Sequence, residues 1–406
     1  MDAIHPHLAS YGRFAFPSDN EAASIRRNII ATEKLVVQFT EAVAFLSTRI
    51  RELEVSVAHQ KSIVSPARKL PDELLGRVFS LVDKESDSDP PSLPAQTKNA
   101  VVQVNAKWRA AALATPSLWS SILINPASMQ RRPMFSLLSR QLEWSRPCPL
   151  TISYTSDKSV VKTFDGCLRL LLDNSDRWHI VRLSLNKPDM QLFKTSAACF
   201  PSLEALDLPQ LKILCDKSGM DLASRSPMLR CLVLEYVRDF RSLLVPWHRL
   251  ATLAMKCVPD VILKMLGQLP QLSAVYYSTI PTVDNLWTRR SLVLCPRLEL
   301  LILDPSDAPR LISWLCAPLL VTLKIRGREV HGPKNMHVAH EALLVFLETS
   351  RCSLTEFELW GCDVPRQRLR EVLAYMPDLR SLSLREIAGW TADRAFVEAL
   401  ACDPDA

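Results

Sequence analysis

Residues 203–208 read LEALDL, residues 298–303 read LELLIL and residues 379–384 read LRSLSL. Each is a leucine-like residue, two of any kind, a second leucine-like residue, one of any kind, and a third. Nine stretches fit this template, starting at Ile180, Leu203, Leu229, Leu250, Leu272, Leu298, Leu320, Leu354 and Leu379. Successive starts lie 21 to 26 residues apart, with one step of 34. The last two leucines of each stretch are two apart, which places both on one side of a strand and the intervening residues on the other. A strand that recurs at such a period cannot bury its apolar side alone. Neighbouring copies must stack into a solenoid, with a continuous parallel sheet and one long open surface.

Each strand needs a return path before the next begins. Residues 258–270 (VPDVILKMLGQLP) and 363–377 (DVPRQRLREVLAYMP) supply helical patterns for it, with apolar residues at three- and four-residue steps. The proline after most of these segments stops the helix before the next strand. The pattern is that of a leucine-rich-repeat solenoid in an irregular form. The usual repeat carries Asn or Cys eight residues after its first leucine, and of the positions compared only Cys362 fits; Leu211, Val237, Val258 and Ile280 do not. Alternation along the strands puts Asp207, Glu235, Lys256, Tyr276, Leu300, Ile302, Asp304, Lys324, Arg326, Glu358, Trp360 and Arg385 on the side away from the core. These are the candidate target-binding residues. Tyr276, Leu300 and Ile302 are expected to form an apolar patch, and Lys324 and Arg326 a basic edge beside it. That combination suits a peptide with hydrophobic anchors and an acidic or phosphorylated group.

The rest of the composition narrows the chemistry. The chain has 406 residues, 48% of them hydrophobic, and a net charge of +6 spread without a long basic run. Arg131-Arg132 and Arg289-Arg290 read as solvated surface rather than nucleic-acid clamps. With 9 Gly, and neither GxGxxG nor GxxxxGK[ST], no phosphate-cradling loop is expected. All 11 Cys lie at or beyond Cys148, with no CxxC and no regular spacing. With no signal-peptide pattern, reduced buried thiols in the cytoplasm or nucleus are expected, and neither a zinc site nor any other cofactor. No apolar run reaches membrane-spanning length, so no membrane partner is expected. HVAHE (337–341) has neither HExxH nor HxxEH order and sits on the helical return ending in ALLVFL, so its histidines read as surface. Cys295 and His248 each adjoin the start of a repeat strand, and packing explains Cys295 better than nucleophilic catalysis does.

The amino-terminal third carries two helical signals. Residues 25–57 form a heptad ladder, with Ile29, Val36, Val43, Ile50 and Val57 at a, and Ile25, Thr32, Phe39, Leu46 and Leu53 at d. β-Branched residues at a with leucine at d favour two parallel strands. Two readings stand side by side: a homodimeric coiled coil, or one amphipathic helix lying on its own chain. KLPDELLGRVFSLV (69–82) follows. Leu70-Pro71 opens a helix, Asp72 and Glu73 suit its positive end, and Leu74, Leu75, Val78, Phe79 and Val82 form a stripe. The acidic, proline-rich stretch 83–96 reads as an exposed loop. A second helical segment spans 98–115, and PSLWSSILI (116–124) ends the region.

Leu-Pro-x-Glu-Leu-Leu, a hydrophobic helix, Val-x-x-x-Trp-Arg and Leu-Trp together resemble an F-box. The matching residues are Leu70, Pro71, Glu73, Leu74, Leu75, Val78, Phe79, Val104, Trp108, Arg109, Leu118 and Trp119. The layout as a whole is similar to F-box proteins common in mushroom-forming fungi: a coiled helix, an F-box with a proline-rich insert, then degenerate leucine-rich repeats. Asn105 stands where the family often has Cys, and the 83–96 insert lengthens the usual spacing. The resemblance implies docking on a Skp-type adaptor through Leu70, Pro71, Glu73, Leu74, Leu75, Val78, Phe79, Val104 and Trp108.

The expected organisation is α/β. A flexible terminus (1–24) precedes a coiled-coil helix (25–62), an F-box (66–124), a connecting segment with the solenoid's cap (125–176), the repeats (177–387) and a terminal cap (388–406). The expected role is the substrate-recognition subunit of a cullin–RING ubiquitin ligase, holding an unidentified target protein and doing no bond chemistry itself. The alternative is a coiled-coil and repeat scaffold with no ubiquitin role. The stripe Leu74, Leu75, Val78 and Phe79 separates the two: free for an adaptor in the first, buried in the second. A third reading, a hydrolase, requires paired carboxylates or a Ser–His or Cys–His pair converging in one pocket.

Overall fold

The computed structural model describes residues 18–84, 100–125, 134–156, 166–209, 220–237, 243–279, 292–304, 311–326, 336–337, 340–363 and 366–385. The proline-rich insert is described only in its first two residues, and the terminal cap lies outside the described residues. The chain divides into two compact units, residues 1–74 and 75–406. It is mixed α/β, with a long N-terminal helix and a large parallel sheet in a solenoid-like arrangement.

The first unit is dominated by α1 (Asp19–Val64), a 46-residue helix. Part of the stretch expected to be flexible is thus helical. The reason is local: the Ser18 amide donates to Glu21 Oε2 at 2.9 Å, closing a capping box at the positive end of the helix. A 3-10 turn (Pro66–Lys69) and the first residues of α2 (Asp72–Lys84) complete this unit.

In the second unit, eleven described strands form one parallel sheet in strict sequence order. They are β1 (Ser121–Ile124), β2 (Leu150–Thr155), β3 (Trp178–Ser184), β4 (Ala205–Leu208), β5 (Cys231–Val237), β6 (Thr252–Cys257), β7 (Ala274–Thr279), β8 (Leu300–Leu303), β9 (Thr322–Arg326), β10 (Glu356–Trp360) and β11 (Ser381–Arg385). The register locks one apolar row across all of them. It runs from Ile122 through Ile152, Val181, Leu206, Leu232, Leu253, Val275, Leu301, Leu323 and Phe357 to Leu382. Every member but the last is buried. A second row two residues on includes Leu234, Met255, Tyr277, Leu303, Ile325 and Leu359. The return helices Pro259–Leu266 and Arg366–Leu373 fall where the sequence periodicity puts them.

The sheet starts earlier than expected. β1 falls in the range given to the F-box and β2 in the supposed connecting segment. β2 carries Pro149 in the first template position, ahead of Ile152 and Tyr154, whereas in β1 and β3 tryptophan takes that position: Trp119-x-x-Ile122-x-Ile124 and Trp178-x-x-Val181-x-Leu183. Both rings are buried, and each indole N–H finds a carbonyl seven residues back, Trp119 on Ala112 at 2.8 Å and Trp178 on Leu171 at 3.0 Å. A buried tryptophan needs such a partner. In β3 the template therefore begins at Trp178 rather than Ile180, whose side chain is exposed on the open face. HVAHE does not lie on one helix either. His337 pairs with Asp363 in a two-residue strand, and His340 opens the helix His340–Ser350.

Adjacent residues of β8 test the two faces. Leu301 is fully buried in the ladder, whereas Ile302 is half-buried on the open side. Leu301→Ala should cost about 2–5 kcal/mol of unfolding free energy by transfer and cavity terms. Ile302→Ala should cost roughly half of that or less in urea titrations of the full chain, because it loses only partial burial.

Candidate functional site

Two surfaces collect the residues singled out by sequence. The first is α2 with the short helices after it. Asn105 interrupts the expected 98–115 helix. Residues 100–104 are helical, and α3 (Ala106–Leu113) restarts with the Asn105 side chain accepting the Trp108 amide at 2.9 Å. Asparagine is a strong N-cap, so Asn105 has a local structural task. Phe79 packs on Trp108 with ring centroids 5.2 Å apart, and Ser80 Oγ lies 3.1 Å from Ser117 Oγ in α4 (Pro116–Trp119). At Gly76 a Cβ would come within 2.5 Å of Thr115 Oγ1, so the close approach requires glycine there.

The α2 stripe divides. Leu75 and Phe79 are 1% and 2% exposed, while Leu74 and Val78 are 45% and 46% exposed. Leu75 and Phe79, read from the sequence as adaptor contacts, are packed inside the chain. Helical geometry explains the division: the stripe is wide enough for one edge to face inward and the other outward. Leu81, one turn beyond Val78, is also exposed and continues the outer edge, and so is Val104. Leu70 and Trp108 are half-buried; Pro71 and Glu73 are exposed. Leu81 was missed by the sequence reading, although the step from Val78 carries the signal.

The second surface is the open face of the sheet. All twelve candidate target residues lie on the side away from the apolar rows, at or just beyond the strands. Val233, Ala254, Tyr276, Ile302, Lys324 and Glu358 occupy one row in register. The small Ala254 side chain between Val233 and Tyr276 opens a depression of about 200 Å3. Glu235, Lys256, Asp304 and Arg326 also line it. Val233, Ala254 and Ser278 were not singled out in the sequence, but the alternation that found Tyr276 finds them too.

The expected basic edge is altered by neighbouring strands. Lys324 Nζ lies 3.2 Å from Glu356 Oε2, and Arg326 Nη2 donates to Glu358 Oε2 at 2.6 Å. Arg182 pairs with Asp207 at 2.8 Å, and the Arg385 guanidinium sits 5.9 Å from the centre of the Trp360 ring. Lys324 and Arg326 are therefore compensated cations. Sequence alternation gives the face of each residue but not the charge opposite it on the next strand.

Among the described residues, neither histidine nor cysteine lines the depression. Among the described residues no group of three or more His, Cys, Asp and Glu is arranged to hold a metal ion. Burial pushes the Cys295 thiol up to about 12, and His248 is exposed on a 3-10 turn (Trp247–Arg249). No described helix is long and apolar enough to cross a membrane. In comparisons with known proteins, the chain matches no family model and no curated protein.

Two predictions follow from this chemistry. Glu358 is nearly buried beside Arg326, so Arg326→Glu should set two carboxylates together and lower stability by roughly 2–3 kcal/mol. The swap Arg326→Glu with Glu358→Arg should recover most of that loss in the same urea titration. For the thiols, burial favours the neutral form, so Cys295 has almost no thiolate at pH 8. Iodoacetamide should alkylate exposed Cys199 in the native protein and leave Cys295 intact, as read by peptide mass spectrometry. Labelling of Cys295 at pH 8 should appear only on unfolding.

Proposed function

We propose that this chain is a substrate-recognition subunit of a cullin–RING ubiquitin ligase, an F-box protein with degenerate leucine-rich repeats. In this reading the outer edge of α2 docks on a Skp-type adaptor and the open face of the sheet holds a target protein. The observation that carries it is the division of α2. A helix fixed by Leu75 and Phe79 leaves Val78 and Leu81 exposed as an apolar edge, on a segment whose residues resemble an F-box. A soluble surface gains by covering such an edge. The role needs positioning alone: binding raises the effective concentration of a target lysine near the conjugating enzyme.

On the open face, the depression at Ala254 accepts one apolar side chain between Val233 and Tyr276, with charged residues at its rim. Pairing of Lys324 and Arg326 with Glu356 and Glu358 moves the preferred ligand away from a phosphorylated peptide and towards an apolar anchor. The scaffold reading keeps one observation in its favour, the burial of Leu75 and Phe79.

The full chain is the right test object, because the 66–124 fragment would separate Trp119 from Trp144 and β1 from β2. It should co-purify with a co-expressed Skp-type adaptor. Val78→Asp with Leu81→Asp should abolish co-purification while leaving the urea midpoint within experimental error, since both side chains are exposed. Failure of the parent to bind the adaptor decides for the scaffold. Once a target is in hand, Ala254→Leu and Tyr276→Ala should each weaken its capture at least ten-fold with adaptor binding unchanged.

A further inference from the structure

We infer that α1 is the dimerisation element of this protein and that its partner is a second copy of itself, in parallel and in register. The inference stands apart from adaptor docking, since it uses only residues 25–57. Over that stretch the a positions are Ile29, Val36, Val43, Ile50 and Val57, and the d positions include Phe39, Leu46 and Leu53. No residue of α1 is buried, and these eight side chains range from 47% to 68% exposed. So long an apolar seam, with a period of 3.5 residues, matches a helix of the same period better than any irregular surface.

The details fit burial of that seam. Thr32, the one polar residue at d, already donates its hydroxyl to the Asn28 carbonyl at 2.8 Å. Covering it leaves no unmet hydrogen bond, which is the usual cost of a polar group in an apolar contact. Every a residue is β-branched, and leucine holds the last two d positions, the combination that selects two parallel strands. Arg49 at g and Glu54 at the following e carry opposite charges and meet across a parallel seam; Arg49 also holds Glu52 of its own helix at 2.6 Å. The seam of 33 residues is about 50 Å long. A strip about 10–12 Å wide on each of two helices gives on the order of 1,000–1,200 Å2, the lower limit for a specific interface. The dimer is therefore concentration-dependent rather than obligate. A parallel pair places both Val64 ends together, so two copies of the following unit share one tether and capture a multivalent target with added avidity.

Light scattering on the full chain, from about 1 to 100 µM, reads the mass directly. The expected result is a shift from the 45.7 kDa monomer to twice that mass. Phe39→Asp with Leu46→Asp should hold the monomer mass throughout, with the near-ultraviolet circular dichroism of the parent. Val36→Cys tests direction and register: mild oxidation should give a disulfide-linked dimer on a denaturing gel where the parent gives none, because only a parallel in-register seam sets the two a positions opposite. A parent that remains monomeric at 100 µM, a double variant that still dimerises, or a Val36→Cys dimer that does not crosslink overturns the inference.

Discussion

The sheet depends on one constraint: an apolar side chain at the centre of each strand must meet its counterpart on the next. Leu232 meets Leu253, Leu253 meets Val275 and Val275 meets Leu301, each nearly inaccessible to solvent. A single strand of four to seven residues buries nothing this way. Eleven described strands in sequence order bury one row through ten of them and a second row beside it. Because side chains alternate, locking these rows also fixes which residues face outward. The open face is thus a by-product of the core. Its residues are free to vary in chemistry while their positions are held by the ladder beneath them.

That constraint also governs what could be read from sequence. Alternation assigned Tyr276, Ile302, Arg326 and Trp360 to the open side, because strand period is a property of the chain itself. β1 was hidden and β3 was framed two residues late because tryptophan, not leucine, fills the first position at Trp119 and Trp178, while β2 has Pro149 and Tyr154 in the first and third positions. A leucine template does not see tryptophan, although both serve there as buried apolar anchors. The heptad of α1 was legible, and its first turn was not, since the Ser18–Glu21 cap lies ahead of the repeating apolar pattern. The division of α2 was hidden for a different reason. Helical spacing shows that Leu74, Leu75, Val78 and Phe79 share a face, but not how far the neighbouring helices cover it.

Electrostatics on the open face show the same limit. Lys324 and Arg326 read in sequence as a basic edge, yet their partners Glu356 and Glu358 lie about thirty residues later. In a parallel sheet those residues are one strand away. Charges paired across strands neutralise the surface and hold the long side chains close to the sheet. A charged ligand must then compete with an existing partner, and the exchange of one ion pair for another yields little in water. An apolar side chain entering the hollow at Ala254 faces no such competition. It displaces water from Val233, Tyr276 and Ile302, and gains the area it covers. Under the proposed recognition role, the ion pairs set the hierarchy of the face: the hollow would supply affinity, and the surrounding charges would restrict which sequences can lie across it.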